Sequence, residues 1–284
     1  MSDKSSPSAP PAKPILLIVC GAVPVRLGVG ETFAEMFIRS GGLRPEQALV
    51  VDAIRKVPPA SLEDFGAVIV TGSLSMVTDR TRWSLRLGRR LAQAMELGLP
   101  ILGVCFGHQL LAQTLGGQVD YRPQGPEIGS HVVTLTPAGR RAPLLQDLPP
   151  SFPAQLYHSQ SVTRPPSQAV VLASSAHDPH QILGYGPNTL TCQFHPEFSL
   201  QAMTIFVDDR LRSRRPDEPE QMALPLVDAP ESASLVPRFL AQARSAQGLR
   251  PDGQASGPPE TLPSKAGPRR PLRPTTGSSR AVLA

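Results

Sequence analysis

Ile101-Leu-Gly-Val-Cys-Phe-Gly-His-Gln-Leu-Leu111 runs from a short apolar strand, through one tight turn, into the start of a helix. Cys105 stands at the turn, with Gly103 two residues before it and Gly107 two residues after. This G-x-C-x-G arrangement is a cysteine version of the nucleophile elbow, in which a strained strand-to-helix turn pushes one reactive side chain into the open. The glycines are required because a side chain there would block the bend or the close approach of backbone and substrate. The helix that follows aims its free N–H groups and the positive end of its dipole at Cys105, which favours a thiolate.

Outward from the elbow, the first hundred residues alternate strand and helix. Ile15 to Cys20, Ala48 to Val51, Ala67 to Val70 and Leu99 to Val104 are continuous apolar runs of the kind buried on both faces of a parallel sheet. Glu31 to Ser40 has helical spacing (Phe33, Met36, Phe37) and ends at Gly41-Gly42. Arg82 to Leu97 is an amphipathic helix with Trp83, Leu87 and Leu91 on one face and arginines elsewhere. The class expected is α/β, an open mostly parallel sheet with helices on both faces. Beyond the elbow the pattern changes to short strands at 118–121, 131–135, 169–173, 182–185 and 189–194, several of them antiparallel additions. Helices are expected over Leu200 to Arg212 and Pro230 to Ala246, the second interrupted by Pro237.

Composition sets the limits. The chain has 284 residues and 33 prolines, well above the roughly 5% of average usage, with many near the two ends. Residues 1–14 read as a disordered lead-in, 15–246 as one folded domain and 247–284 as a disordered basic Pro/Gly-rich tail. The net charge of +5 is no nucleic-acid signal, because the tail supplies most of it: Arg250, Lys265, Arg269, Arg270, Arg273 and Arg280 face only Asp252 and Glu260. Three cysteines without C-x-x-C spacing point to a reducing compartment and to no metal site. The run at 15–20 is too short for a signal-peptide core or a membrane span, so a cytoplasmic protein is expected, with no membrane partner.

Three segments carry chemistry, and each alone has an ordinary structural reading. A free cysteine is usually a small buried hydrophobe, which is how Cys20 and Cys192 read, inside strands. Cys105 differs by its glycines and its helix start. A cysteine nucleophile needs a base, and the base needs an orienting partner. Gln193-Phe-His195-Pro-Glu197 offers both. Proline keeps His195 extended, and residues i and i+2 of an extended chain point the same way, so Glu197 would orient the imidazole. The plain alternative is a solvated histidine at a strand end. Thr71-Gly72-Ser73 follows a buried strand at the edge where open parallel sheets bind ligands. Its N–H groups, with that of Phe106, would make an oxyanion hole; the plain alternative is a strand-ending turn.

Gly103-Val-Cys-Phe-Gly-His-Gln109, His195-Pro-Glu197 and Thr71-Gly-Ser73 come in the order and approximate spacing of class I glutamine amidotransferase domains, and the resemblance covers about 15–206. Thr78-Asp-Arg80 with Trp83 resembles the stand-alone GMP synthase-like subgroup. The resemblance implies a flavodoxin-like sheet and a Cys105–His195–Glu197 triad. It implies an oxyanion hole and substrate site using Gly72, Ser73, Phe106, Gln109, Glu127 (in Glu127-Ile-Gly129) and His158. Gln160, in His158-Ser-Gln-Ser-Val162, replaces the aspartate of that family's segment. The implied reaction is hydrolysis of glutamine to glutamate and ammonia through a glutamyl thioester, without cofactor or metal. The alternatives are hydrolysis of γ-glutamyl peptides or metabolites on the same triad, or a non-catalytic binding or regulatory protein. The chain shows no Walker A loop and no Ser-Gly-Gly-x-Asp nucleotide loop, so an ammonia-accepting synthetase is expected on a separate polypeptide, if one exists.

Overall fold

The apolar run after Pro14 forms β1 (Ile15–Val19), whose side chains alternate between two cores. Ile15 and Leu17 face one side of the sheet with Phe37, Phe239 and Leu240. Leu16 and Ile18 face the other with Leu87, Leu91, Leu110 and Leu111. A strand apolar at successive positions needs cover on both faces, and helices supply it. The computed structural model describes residues 12–213, 219 and 221–247. Nearly all of the expected lead-in and tail lies outside the described residues.

The first part of the chain gives α1 (Phe33–Ser40), β2 (Ala48–Asp52), β3 (Ala67–Val70), α2 (Arg82–Glu96), β4 (Ile101–Val104) and α3 (Phe106–Thr114). Helix α1 starts two residues later than the spacing suggests, because Thr32 and Glu35 close a reciprocal capping box (Glu35 N–H to Thr32 Oγ1, 3.2 Å; Thr32 N–H to Glu35 Oε2, 2.7 Å). Helix α2 starts after Thr81 as its N-cap and buries Leu87 and Leu91, each worth about 1.5–3 kcal/mol of transfer free energy.

The rest adds β5 (Gln118–Tyr121), β6 (Glu127–Leu135), β7 (Ser151–His158), β8 (Gln160–Arg164), β9 (Val170–Ser174), β10 (Ile182–Gly184), β11 (Thr189–Cys192), α4 (Leu200–Ser213), β12 (Gln221–Ala223), α5 (Pro230–Ala233) and α6 (Leu235–Ala246). The main sheet runs β12-β6-β9-β10-β11-β4-β3-β1-β2, with β7 paired to β6. Strands β2, β1, β3, β4 and β11 are mutually parallel; β10, β9 and β7 join by antiparallel ladders. Strands β5 and β8 form a separate antiparallel pair. The fold is therefore the expected α/β one, with a mixed, mostly parallel open sheet.

Several details differ from the sequence reading. Strand β2 is the edge of the sheet rather than a strand buried on both faces, and Leu49 and Val50 are 44% and 45% exposed. The strand before the elbow begins at Ile101 rather than Leu99, and β11 ends at Cys192, short of Phe194. Cys20 follows β1 rather than lying in it, although it is fully buried. Strands β7, β8 and β12 have no counterpart in the sequence reading. The segment from Pro230 divides at Ser234 into α5 and α6, which places Pro237 in the first turn of α6, where its missing N–H costs nothing. Among the described residues, no helix is long and apolar enough to cross a membrane.

Candidate active site

Cys105 has φ 49° and ψ −99°, one of two non-glycine residues with positive φ among those described. Such a backbone costs on the order of 1–3 kcal/mol and persists only where its surroundings impose it. Here the imposing contacts are explicit. The Cys105 N–H donates to Cys192 O of β11 (2.8 Å), and the Gln109 N–H closes the first turn of α3 on Cys105 O (3.0 Å). A Cβ on Gly107 would lie 2.8 Å from Val70 O, and one on Gly103 would lie 3.0 Å from the Gly107 backbone. Both glycines let α3 press against β3 and β4, and a side chain at either position would force the elbow to shift.

His195 and Glu197 come from the turn after β11. The Phe198 N–H reaches His195 O (3.3 Å), closing a turn with proline at its second position. A turn, not the expected extended segment, brings His195 Nδ1 to 2.8 Å from Glu197 Oε1. The carboxylate accepts, so Nδ1 carries the hydrogen and Nε2 is left for the sulfur side. Both residues are buried. Phe198 stacks on the imidazole at 4.1 Å, and Arg39 of α1 donates from Nη2 to Glu197 O (3.3 Å). The His195 N–H is tied to Gln155 O of β7 (2.8 Å). Burial alone pulls the His195 pKa down, but the Glu197 charge, the Cys105 charge and hydrogen bonds to both outweigh it and lift it to about 10. An imidazolium beside sulfur is the arrangement that stabilises a thiolate.

Gly72 lies against both groups: a Cβ there would come within 2.8 Å of His195 Cε1 and 3.5 Å of Cys105 Cβ. The turn is held on either side to Cys20, the residue after β1. Thr71 Oγ1 accepts from the Cys20 N–H (3.0 Å), and Ser73 Oγ donates to Cys20 O (2.5 Å). Phe106 opens α3, so its N–H is among those a helix leaves without an internal partner. Gly72 and Phe106 thus bracket the sulfur from two strand ends. Trp83 stacks on the Phe106 ring at 5.2 Å.

A cavity of about 130 Å³ opens over Cys105. Ser73 to Met76 form one wall and Tyr157 to Gln160 the other, with Gln109 beside the sulfur. Gln109 Nε2 donates to Gln160 O (2.6 Å) and Gln193 Oε1 (3.0 Å). His158 lines the cavity; Glu127 does not, and reaches it only through His158. His158 Nε2 bonds Glu127 Oε2 (3.0 Å), and Nδ1 bonds Gln160 O (2.9 Å). Ser175 Oγ donates to Glu127 Oε1 (2.6 Å) and Gln181 Nε2 to Oε2 (2.9 Å). Burial pushes the Glu127 carboxyl up, but His158 and Ser175, with the charge of His131, hold it below the usual range. Ligating atoms of Glu127, His158 and Asp178 lie within 4.8 Å of one another. Both His158 nitrogens and both Glu127 oxygens are already used in protein bonds, which a metal ion would have to displace, while Asp178 Oδ2 has no partner among the described residues.

The other cysteines keep their plain reading: burial pushes the Cys20 and Cys192 thiols up, away from thiolate character. His108, beside the elbow in sequence, points away into the core, where Nδ1 meets Thr191 Oγ1 at 2.8 Å. Burial lowers its pKa to about 3. Sequence reasoning missed Arg39, Gln155, Ser175, Gln181 and Gln193. Only Gln193, two residues before His195, carried a signal.

Comparison with known proteins follows the same lines. The family described as Glutamine amidotransferase class-I matches residues 44–210. The chain is 35% identical over 148 residues to a glutamine-hydrolyzing GMP synthase from Aeropyrum pernix, covering 50% of this chain and 27% of that protein. It is 33% identical over 153 residues to one subunit of the glutamine-hydrolyzing GMP synthase from Sulfolobus acidocaldarius (52% of this chain, 78% of that one). It is 26% identical over 152 residues to gamma-glutamyl peptidase 5 from Arabidopsis thaliana (52% and 59%). The crystal structure of a glutamine amidotransferase from Thermotoga maritima superposes with a TM-score of 0.63 at 19% identity, over 81% of this chain and 98% of that one; it has the same fold.

Proposed function

Because the chain belongs to the class-I glutamine amidotransferase family, we propose that it hydrolyses the side-chain amide of glutamine to glutamate and ammonia, with Cys105, His195 and Glu197 as its triad. The observation that carries this is the strained Cys105 backbone, held next to a His195 whose Nδ1 is fixed by Glu197 at 2.8 Å.

The Cys105 sulfur attacks the amide carbon, and the electron pair of the C=O bond moves to oxygen. The Gly72 and Phe106 N–H groups hold that oxyanion. His195, raised to about 10, enters protonated and gives its Nε2 proton to the leaving nitrogen as the C–N bond breaks, releasing ammonia. The glutamyl thioester remains. Neutral His195 then takes a proton from water, which attacks the thioester carbon and frees glutamate and the thiolate. Glu197 stabilises the imidazolium without itself being protonated. Ammonia passes to a separate synthetase polypeptide in this reading, supported by likeness to a protein named as one subunit of a GMP synthase.

A second reading, hydrolysis of γ-glutamyl peptides or γ-glutamylated metabolites on the same triad, is favoured by likeness to gamma-glutamyl peptidase 5. Glutamate release from glutamine and from a panel of γ-glutamyl amides decides between them, with Cys105→Ala as control. Turnover of glutamine alone supports the first reading and turnover of the amides the second; undiminished turnover by Cys105→Ala overturns both.

A further inference from the structure

One wall of the cavity spans two parts of the fold, because Tyr157 and His158 end β7 of the main sheet and the chain then leaves that sheet. Ser73 to Met76 follow β3 of the main sheet. Ser159 and Gln160 lead into β8, which pairs only with β5. A two-stranded ribbon is marginal by itself and shares no ladder with the strands that carry Cys105 and Gly72, so beyond its chain link to β7 its position depends on side chains. Among the described residues, a side-chain pair joins the start of β8 to the loop after β3. Gln160 Nε2 donates to Thr78 Oγ1 (2.6 Å), and the Thr78 N–H reaches back to Gln160 Oε1 (3.5 Å). Gln160 is fully buried, and its main-chain oxygen accepts from both Gln109 and His158.

We propose that the Thr78–Gln160 pair is a latch that fixes the width of the substrate cavity, and that Gln160 is a positioning residue for glutamine; this rests on the glutamine-hydrolase reading above. The pair also uses two features of the sequence that the triad leaves unused. The Thr78-Asp-Arg80 stretch contributes the threonine hydroxyl. At 160 an aspartate side chain would be one methylene shorter and could only accept, whereas an amide both donates to the hydroxyl and accepts from the N–H. The latch acts on binding rather than on the chemical step. The oxyanion end of the loop is anchored independently, by the Thr71 and Ser73 bonds to Cys20. The segment 74–76 between Ser73 and buried Val77 is what the latch holds against Tyr157 and His158.

The test measures second-order labelling of Cys105 by 6-diazo-5-oxo-L-norleucine, a glutamine-shaped electrophile, against labelling by iodoacetamide, which needs only the thiolate. Thr78→Val and Gln160→Ala are expected to slow the first reagent about three- to tenfold, the range of one neutral hydrogen bond, with iodoacetamide rates unchanged. The double variant should be no slower than the worse single one, and Thr78→Ser should recover most of the rate. Where glutamine turnover is measurable, KM rises by the same factor and kcat holds. If wild-type Cys105 labels with the glutamine analogue and the latch variants label equally fast, the latch is wrong and the hydrolase reading stands. If both reagents slow together with a fall in Tm, the pair is merely structural and the proposal fails. If the analogue does not label wild-type Cys105 while iodoacetamide does, the hydrolase reading fails and the latch with it.

Discussion

The parallel strands β2-β1-β3-β4-β11 and the antiparallel run β10-β9-β6-β7 share one sheet, yet they treat buried polar groups differently. At the ends of the parallel strands, the Cys105 backbone is strained and the buried His195 imidazole is raised to about 10 by its neighbours. Among the described residues, Glu197 Oε2 has no hydrogen-bond partner. In the antiparallel part the buried carboxylate of Glu127 has both oxygens bonded, by His158, Ser175 and Gln181, although Gln181 Oε1 and Asp178 Oδ2 beside it have no partner among the described residues. One region holds a strained backbone beside a raised imidazole, and the other holds a cavity wall through hydrogen bonds to Glu127. The two meet at Gln155 O, where β7 fixes the His195 backbone.

Mutation should separate the two regions. Cys105→Ala is expected to lower glutamate release by at least about 10³-fold while changing stability by no more than about 1 kcal/mol; initial rates and urea midpoints check both. Glu127→Ala should do the reverse. Leaving His158 buried without its acceptor costs about 1–3 kcal/mol, and an unchanged urea midpoint would erase the distinction. Gly107→Ala sits between them. Its Cβ would meet Val70 O at 2.8 Å, a strain of about 1–3 kcal/mol that moves α3, so stability and turnover should fall together.

The two buried histidines sharpen the contrast further. His195 is raised from 6.5 to about 10, so its stabilisation is complete below about pH 6.5, declines as pH rises and is gone above about 10. His108 is lowered to about 3, so its contribution is present above about pH 6.5 and is lost as pH falls towards 3. The alkaline fall in Tm should shrink in His195→Gln and the acid fall in His108→Gln. An alkaline limb identical in wild type and His195→Gln would contradict the ion-pair account. The smallest effect is expected at the exposed edge, where Val50→Thr should shift stability by under about 0.5 kcal/mol.

The parallel region was legible in the sequence because strands covered on both faces are written as unbroken apolar runs, and because Gly103 and Gly107 mark a turn that tolerates no side chain. The Ala48 run misled for the same reason: four apolar residues in a row look alike at the centre and at the edge. Strands β7 and β8 were not legible. Pro153 stands inside β7, and Gln155, His158, Gln160 and Ser161 are polar residues buried with hydrogen-bond partners from elsewhere in the chain or from one another rather than by hydrophobicity. His195 and Glu197 were found together, although through an extended geometry that the turn replaces. Arg39, more than 150 residues from Glu197, left no local trace.

The most direct measurement is intact-protein and peptide mass spectrometry after rapid acid quench of the protein mixed with glutamine or a γ-glutamyl amide. A single glutamyl adduct on Cys105, absent from Cys105→Ala, is the predicted result. Glutamate formed with no adduct at any time, or an adduct on Cys20 or Cys192, would contradict the account.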